Sequence, residues 1–136
     1  MKKLTTIILS TACAFAVGSA FADLTIVNNS DSDSTMKING ICTAKLGPII
    51  GIPGVTPKHG GKNSYTLSEV KLVCGASATS CDALLYSGQN CDTEIGKGTI
   101  SISSSDVTLS PGKLVSESPD YKLTGEGTST LTISNS

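Results

Sequence analysis

Cys42, Cys74, Cys81 and Cys91 narrow what this chain can fold into more than any other feature. An even number of thiols in a short exported chain reads as a framework of two disulfides. The compartment is oxidising, and a small core gains from loops closed in the unfolded state. A zinc site with four thiolate ligands is the rival reading. The intervening spacings of 31, 6 and 9 residues speak against it, because none is the short C-x2-C knuckle that zinc sites favour.

The N-terminus supplies the export context. Met1-Lys2-Lys3 is a short positive region, followed by an uncharged run from Leu4 to Phe21 that includes Ile7, Ile8, Leu9, Phe15 and Val17. It ends Ser19-Ala20-Phe21-Ala22, with small residues where a signal peptidase needs them, so the cut is expected between Ala22 and Asp23. A retained membrane helix fits less well, because Thr5, Thr6, Ser10, Thr11, Gly18 and Ser19 dilute a segment that would need about 20 predominantly apolar residues. A lipid anchor on Cys13 also fits poorly, since Ala14 to Val17 continue the apolar run where a polar tether should begin. Residues 1–22 are therefore read as a cleaved leader and 23–136 as a single exported domain, in the periplasm or outside the cell.

Processing leaves 114 residues, enough for one core. Lys2 and Lys3 leave with the leader, so eight Lys face eleven Asp and Glu, a net of −3, and there is no Arg. Without the guanidinium fork, nucleic-acid binding is a poor expectation. Both Phe residues lie in the leader and Trp is absent, so the core must be built from Ile, Leu and Val around Tyr65, Tyr86 and Tyr121.

Short β-patterned runs recur between Gly, Asn, Asp and Ser clusters, and no window shows a sustained helical period with caps. Strands are expected near Leu24 to Asn28, Thr35 to Cys42, Tyr65 to Cys74, Asp82 to Ser87, Thr93 to Ser103, Val107 to Leu109, Tyr121 to Thr124 and Ser129 to Ser134. Alternation is clearest at Thr99 to Ser103 and Thr130 to Ser134, with Ile and Leu facing in and hydroxyls out. About eight short strands predict an all-β fold, a small two-sheet antiparallel sandwich of immunoglobulin-like kind. The ends echo each other, LTIVNNS at 24–30 and LTISNS at 131–136, which reads as shared strand chemistry rather than a repeat.

These strands order the cysteine pairings. With 75–80 as the turn between two strands, Cys74 lies beside Cys81, and a tight turn at 87–90 puts Cys91 opposite Tyr86. Roughly 17 Å of strand then separates Cys81 from Cys91, whereas bonded cysteines keep their α-carbons within about 7 Å. The preferred pairing is Cys42 with Cys91 and Cys74 with Cys81. Cys42 with Cys74 and Cys81 with Cys91 stays open, and wins if residues 87–91 fold back.

The segment 44–64 stands apart. Within it, GPIIGIPGVTPKHGGKNS packs five Gly and three Pro among Ile49, Ile50, Ile52 and Val55, too Pro-broken for a central strand. A long loop in a small domain is usually functional or mobile. Either its apolar side chains close one end of the sandwich, or they stay exposed as a contact for a partner. Lys58, His59 and Lys62 sit in the same segment, and the domain is electrically lopsided: 37–71 holds five Lys and one Glu, whereas seven acids face three Lys from Asp82 onward. Clustered, those three residues would suit an anionic partner such as lipid head groups or acidic glycan. A solvated face is the plainer alternative.

Catalytic and metal-binding signals are weak. The single histidine, His59, lies in a Gly-rich segment, there is no G-x-S-x-G elbow, and four cysteines committed to disulfides leave no thiol nucleophile. Asp31 and Asp33 resemble the start of a calcium loop, but Met36 stands where its Gly should be and Cys42 where its Glu should be, so no metal or cofactor is expected. Three Tyr and no Trp give little for a sugar ring to stack on.

DLTIVNNSDSDSTMKING after the cut, TPKH at 56–59, and the C-x-A-x-x-Y…NC pattern ending at Cys91 together resemble small exported, disulfide-stapled β-domain proteins of Gram-negative bacteria, over about the first two thirds of the chain. The resemblance implies secretion and supplies no active site. Chaperone-usher fimbrial subunits are similar in leader and sandwich, but this chain ends SNS where they carry an aromatic-bearing strand, so polymerisation is not expected. The leading expectation is a secreted or periplasmic, monomeric, non-enzymatic binding domain with residues 47–62 as its contact. A structural surface component, pilus-like or coat-like, comes second, and a secreted enzyme third.

Overall fold

The computed structural model describes residues 23–136, so the leader expected at 1–22 lies outside the described residues. In chain order the elements are β1 (Leu24–Asn28), β2 (Ser34–Ile38), β3 (Ile41–Cys42), helix α1 (Thr43–Ile50), β4 (Gly61–Tyr65), helix α2 (Leu67–Cys74), β5 (Ser80–Ser87), β6 (Thr93–Ile102), β7 (Val107–Leu109), β8 (Val115–Ser116), β9 (Tyr121–Thr124) and β10 (Thr130–Asn135). They form a small all-β sandwich of two sheets. The smaller has the order β4-β1-β10-β9, the larger β3-β2-β5-β6-β7, with β8 also pairing with β6.

Period-two alternation builds the core. Leu24, Ile26, Leu131 and Ile133 point inward from the small sheet, while Met36, Ile38, Ala83, Leu85, Ile100 and Ile102 point inward from the large one. The echo between the chain ends has a structural meaning: β1 and β10 are neighbours with Ile26 against Leu131. That pair runs parallel, which departs from a purely antiparallel sandwich. The ends are far apart in sequence, so no hairpin constrains their direction, and the matching inward rows are buried equally well this way.

Asn28 is the polar exception on the inward face of β1, fully buried and fully bonded. Its Nδ2 donates to the Ser32 carbonyl at 2.8 Å and the Thr56 carbonyl at 3.1 Å. Its Oδ1 accepts from the Ser30 amide at 3.1 Å and the Ser30 hydroxyl at 2.6 Å. Every polar atom taken from water finds a partner, which makes such a burial tolerable.

Three sequence expectations change. Thr35 to Cys42 is a hairpin rather than one strand. Asn39 and Gly40 both take positive φ (53° and 82°), and Lys37 pairs with Cys42 across this two-residue loop. Tyr65 to Cys74 divides into the end of β4 and the helix α2. Thr66 caps that helix: its hydroxyl accepts from the Glu69 amide at 3.1 Å, while the Glu69 carboxylate accepts from the Thr66 amide at 2.8 Å. Burial of Val70, only 1% exposed, anchors α2 to the core. The segment 44–64 is not a long loop. It begins in α1, whose Pro48 falls in the last turn and whose end is a left-handed Gly51. It then runs extended to Thr56, which bridges Ser34, and turns into β4.

Disulfides join Cys42 to Cys91 and Cys74 to Cys81, with α-carbon separations of 6.2 and 5.8 Å. Cys74 reaches Cys81 from the end of α2, not from a neighbouring strand. Cys91 does not lie opposite Tyr86, whose partner is Glu94 beyond a bulge. It sits in the β5–β6 turn at φ 54°, its amide donating to Thr35 Oγ1 at 2.9 Å.

Candidate functional site

The residues singled out from the sequence do not form one contact. Ile52 is buried and Ile50 packs against the core, so part of the segment closes the sandwich. Val55 is half-buried, whereas Ile49 on α1 is 76% exposed. Lys58 and His59 share an exposed turn and Lys62 follows on β4, also exposed. That turn is not a free positive tip. The Lys58 amide donates to Asp33 Oδ1 at 3.0 Å, and Gln89 Nε2 donates to Asp33 Oδ2 at 2.9 Å. The Gln89 bond first, then the Lys58 amide, hold the Asp33 carboxyl below its ordinary range, which keeps a negative charge beside the two basic side chains.

A different surface gathers charge around a hollow. On the outer face of the large sheet, Lys37 of β2 pairs with Leu84 of β5, and Leu84 pairs with Lys97 of β6, giving a cross-strand row. One step along, Asp82 pairs with Thr99. With Lys113, which follows β7, these side chains line a groove of about 490 Å³. A second hollow of about 400 Å³ continues from it, sharing Lys37 and Gly40 and reaching Lys45 and Asn90 beside the Cys42–Cys91 bridge. Four lysines thus line the two hollows, against one acid, Asp82.

Local sequence explains the depth. Gly98 brings no side chain to β6 beside the groove. Nearby, a Cβ on Gly96 would collide with Leu123 and the Val115 carbonyl, so only glycine lets β8 and β9 pack so closely against β6. The lysines are partly engaged. Lys37 Nζ stands 5.3 Å from the Tyr86 ring centroid, and Lys97 Nζ is 3.7 Å from Glu117 Oε2. Glu117 also hydrogen-bonds Glu94, and this neighbour holds the Glu94 carboxyl above its ordinary range. Sequence reasoning missed this surface because Lys97 and Lys113 belong to the acid-rich half of the chain. Only the register of β2, β5 and β6 brings Lys97 beside Lys37.

Among the described residues, no cluster of three or more His, Cys, Asp or Glu side chains could hold a metal ion, and no helix is long and apolar enough to cross a membrane. Tyr65 is a structural residue: its hydroxyl donates to the Pro53 carbonyl at 2.9 Å, and burial pushes its pKa up to about 12.

Fold and groove define a disulfide-bridged β-sandwich with a lysine-lined sheet face. The sequence matches no protein-family model and no curated protein. Among solved structures, the crystal structure of the Legionella pneumophila type II secretion system substrate NttC is similar, with a TM-score of 0.61 over 85% of this chain and 98% of that one. At 22% identity the likeness is one of fold.

Proposed function

We propose that this chain is an exported, non-enzymatic binding domain that uses the groove on its large sheet to hold an anionic ligand. The observation that carries the reading is the convergence of Lys37, Lys97 and Lys113 on one hollow, in a chain whose formal charge is −1. Cations set against a rigid sheet in an otherwise acidic molecule focus attraction on one face. Export is supported by the leader pattern, by the two disulfides, and by the shared fold with a protein described as a type II secretion substrate. Binding is favoured over catalysis because the one histidine, His59, stands in an exposed turn and lines neither hollow.

Two measurements test this. Culture fractionation with intact-mass analysis should find the protein outside the cytoplasm, shortened at Ala22 and without free thiols downstream; a full-length, fully reduced product would remove the export reading. Immobilised heparin serves as a generic polyanion. Retention at low salt should be lost when Lys37, Lys97 and Lys113 are changed to Gln, and kept when Lys58, His59 and Lys62 are changed to Ser. The opposite pattern would move the contact to the 58–62 turn, and no retention of the unaltered protein would sink the binding reading. A single monomer peak is expected on size exclusion, whereas a ladder of polymers would favour the structural-subunit alternative.

A further inference from the structure

We infer that the groove is shaped for an extended acidic polysaccharide rather than for a single small anion, an inference that rests on reading this face as the contact surface. Lys37 and Lys97 flank Leu84 on strands either side of β5, which puts their α-carbons about 10 Å apart at ordinary strand spacing. One phosphate or carboxylate can bond both ammonium groups only if the two flexible side chains bend toward each other over Leu84, with Lys97 leaving Glu117 and both losing rotamer freedom. A chain with a charge on successive units needs no such bending. The second hollow extends the path past Lys37 toward Lys45, so the row of cations continues beyond the first hollow instead of ending there.

The groove's other side chains select among polyanions. Neither hollow is lined by an aromatic ring, and the chain has no arginine, so an unpaired nucleic acid finds no base-stacking platform and no guanidinium fork. The most exposed apolar side chains, Ile49 and Leu72, stand on α1 and α2 rather than in the groove. Ile41, which lines the second hollow, and Val115, paired with Lys97, are each under half exposed, too little apolar surface to wedge into a bilayer beside the lysines. What the groove does offer fits sugars. Leu84 is an aliphatic floor for the C–H face of a ring, the Thr99 hydroxyl and Asp82 carboxylate are partners for sugar hydroxyls, and the lysines meet the acid groups. The Lys97–Glu117 contact has to open for Lys97 to take part.

The purified protein should be titrated calorimetrically at low salt with galacturonate, hexagalacturonate, a heparin hexasaccharide, neutral maltohexaose and phosphatidylglycerol vesicles. The expected result is binding of one or both acidic hexasaccharides, with no measurable binding of the monomer or of maltohexaose; which hexasaccharide binds better tells carboxylate from sulfate recognition. Lys37→Gln, Lys97→Gln and Lys113→Gln should each weaken hexasaccharide binding roughly threefold, the scale of an exposed charge pair. Glu117→Gln should strengthen it, because Lys97 is released. Melting temperatures close to that of the unaltered protein establish that these variants fold. Monomer binding as tight as hexamer binding would overturn the extended-ligand inference, as would equal binding of maltohexaose. Lysine-dependent binding of vesicles without either acidic glycan would overturn the ligand class and leave the anion-binding function standing. Failure of every anion would remove both.

Discussion

Asn28 shows how one side chain joins three parts of the chain, since its amide holds the 28–32 turn and the Thr56 carbonyl together inside the sandwich. Asn28→Ala leaves several buried polar groups unpaired, and should destabilise the fold by about 2–3 kcal/mol in urea titrations. Nothing in the sequence separates this asparagine from Asn29 beside it; only the phase of β1 puts one inside and the other in water. Glu94 behaves oppositely. Its carboxyl titrates higher in the folded state than in the unfolded chain, because it shares a hydrogen bond with Glu117. The folded state therefore holds that proton more tightly, and stability falls as pH rises from the ordinary carboxylate value through the raised one. Glu94→Gln should raise the melting temperature at pH 7, and the gain should disappear at a pH below the ordinary carboxylate value. A variant less stable than the unaltered protein at neutral pH would contradict this account.

At the scale of elements, α2 depends on a reciprocal cap. Thr66→Ala removes the acceptor for the Glu69 amide and should cost about 1 kcal/mol, read as a lower denaturation midpoint with an unchanged slope. The strands with strict alternation, β1, β6 and β10, were legible in the sequence because the inside–outside period of a sheet is written directly in residue type. The helices were not. Val70, Val73 and Cys74 imitate strand residues, although Thr66-Leu67-Ser68-Glu69 spells a capping box just ahead of them. In α1, Gly47 and Pro48 argue against any helix, yet Pro48 comes late enough to forfeit only the bond to Ala44. Asn39-Gly40, the strongest hairpin signal in the chain, is masked by the apolar residues that continue on both sides of it. The groove was hidden for a different reason. Its charged members come from three strands and a later loop, and a row across strands exists only once the register is known.

For the molecule as a whole, the two disulfides are unequal. Cys42–Cys91 spans 49 residues of sequence and Cys74–Cys81 only 7. Loop-closure entropy then assigns about 4 kcal/mol to the first and about 2.5 kcal/mol to the second. Replacing each pair with Ser should reproduce that order in unfolding free energy; equal losses would mean that contacts around the bridges, rather than chain entropy, set their worth. Because β1 lies between β4 and β10, the small sheet gains its last two strands only from residues 121–135. A ribosome-bound chain that has not yet produced them leaves one edge of its first strand without a mate. Removing residues 121–136 should therefore uncover the inward row of β1 and lower the melting temperature of the whole sandwich, whereas an unchanged melting temperature would mean that the large sheet holds the fold alone.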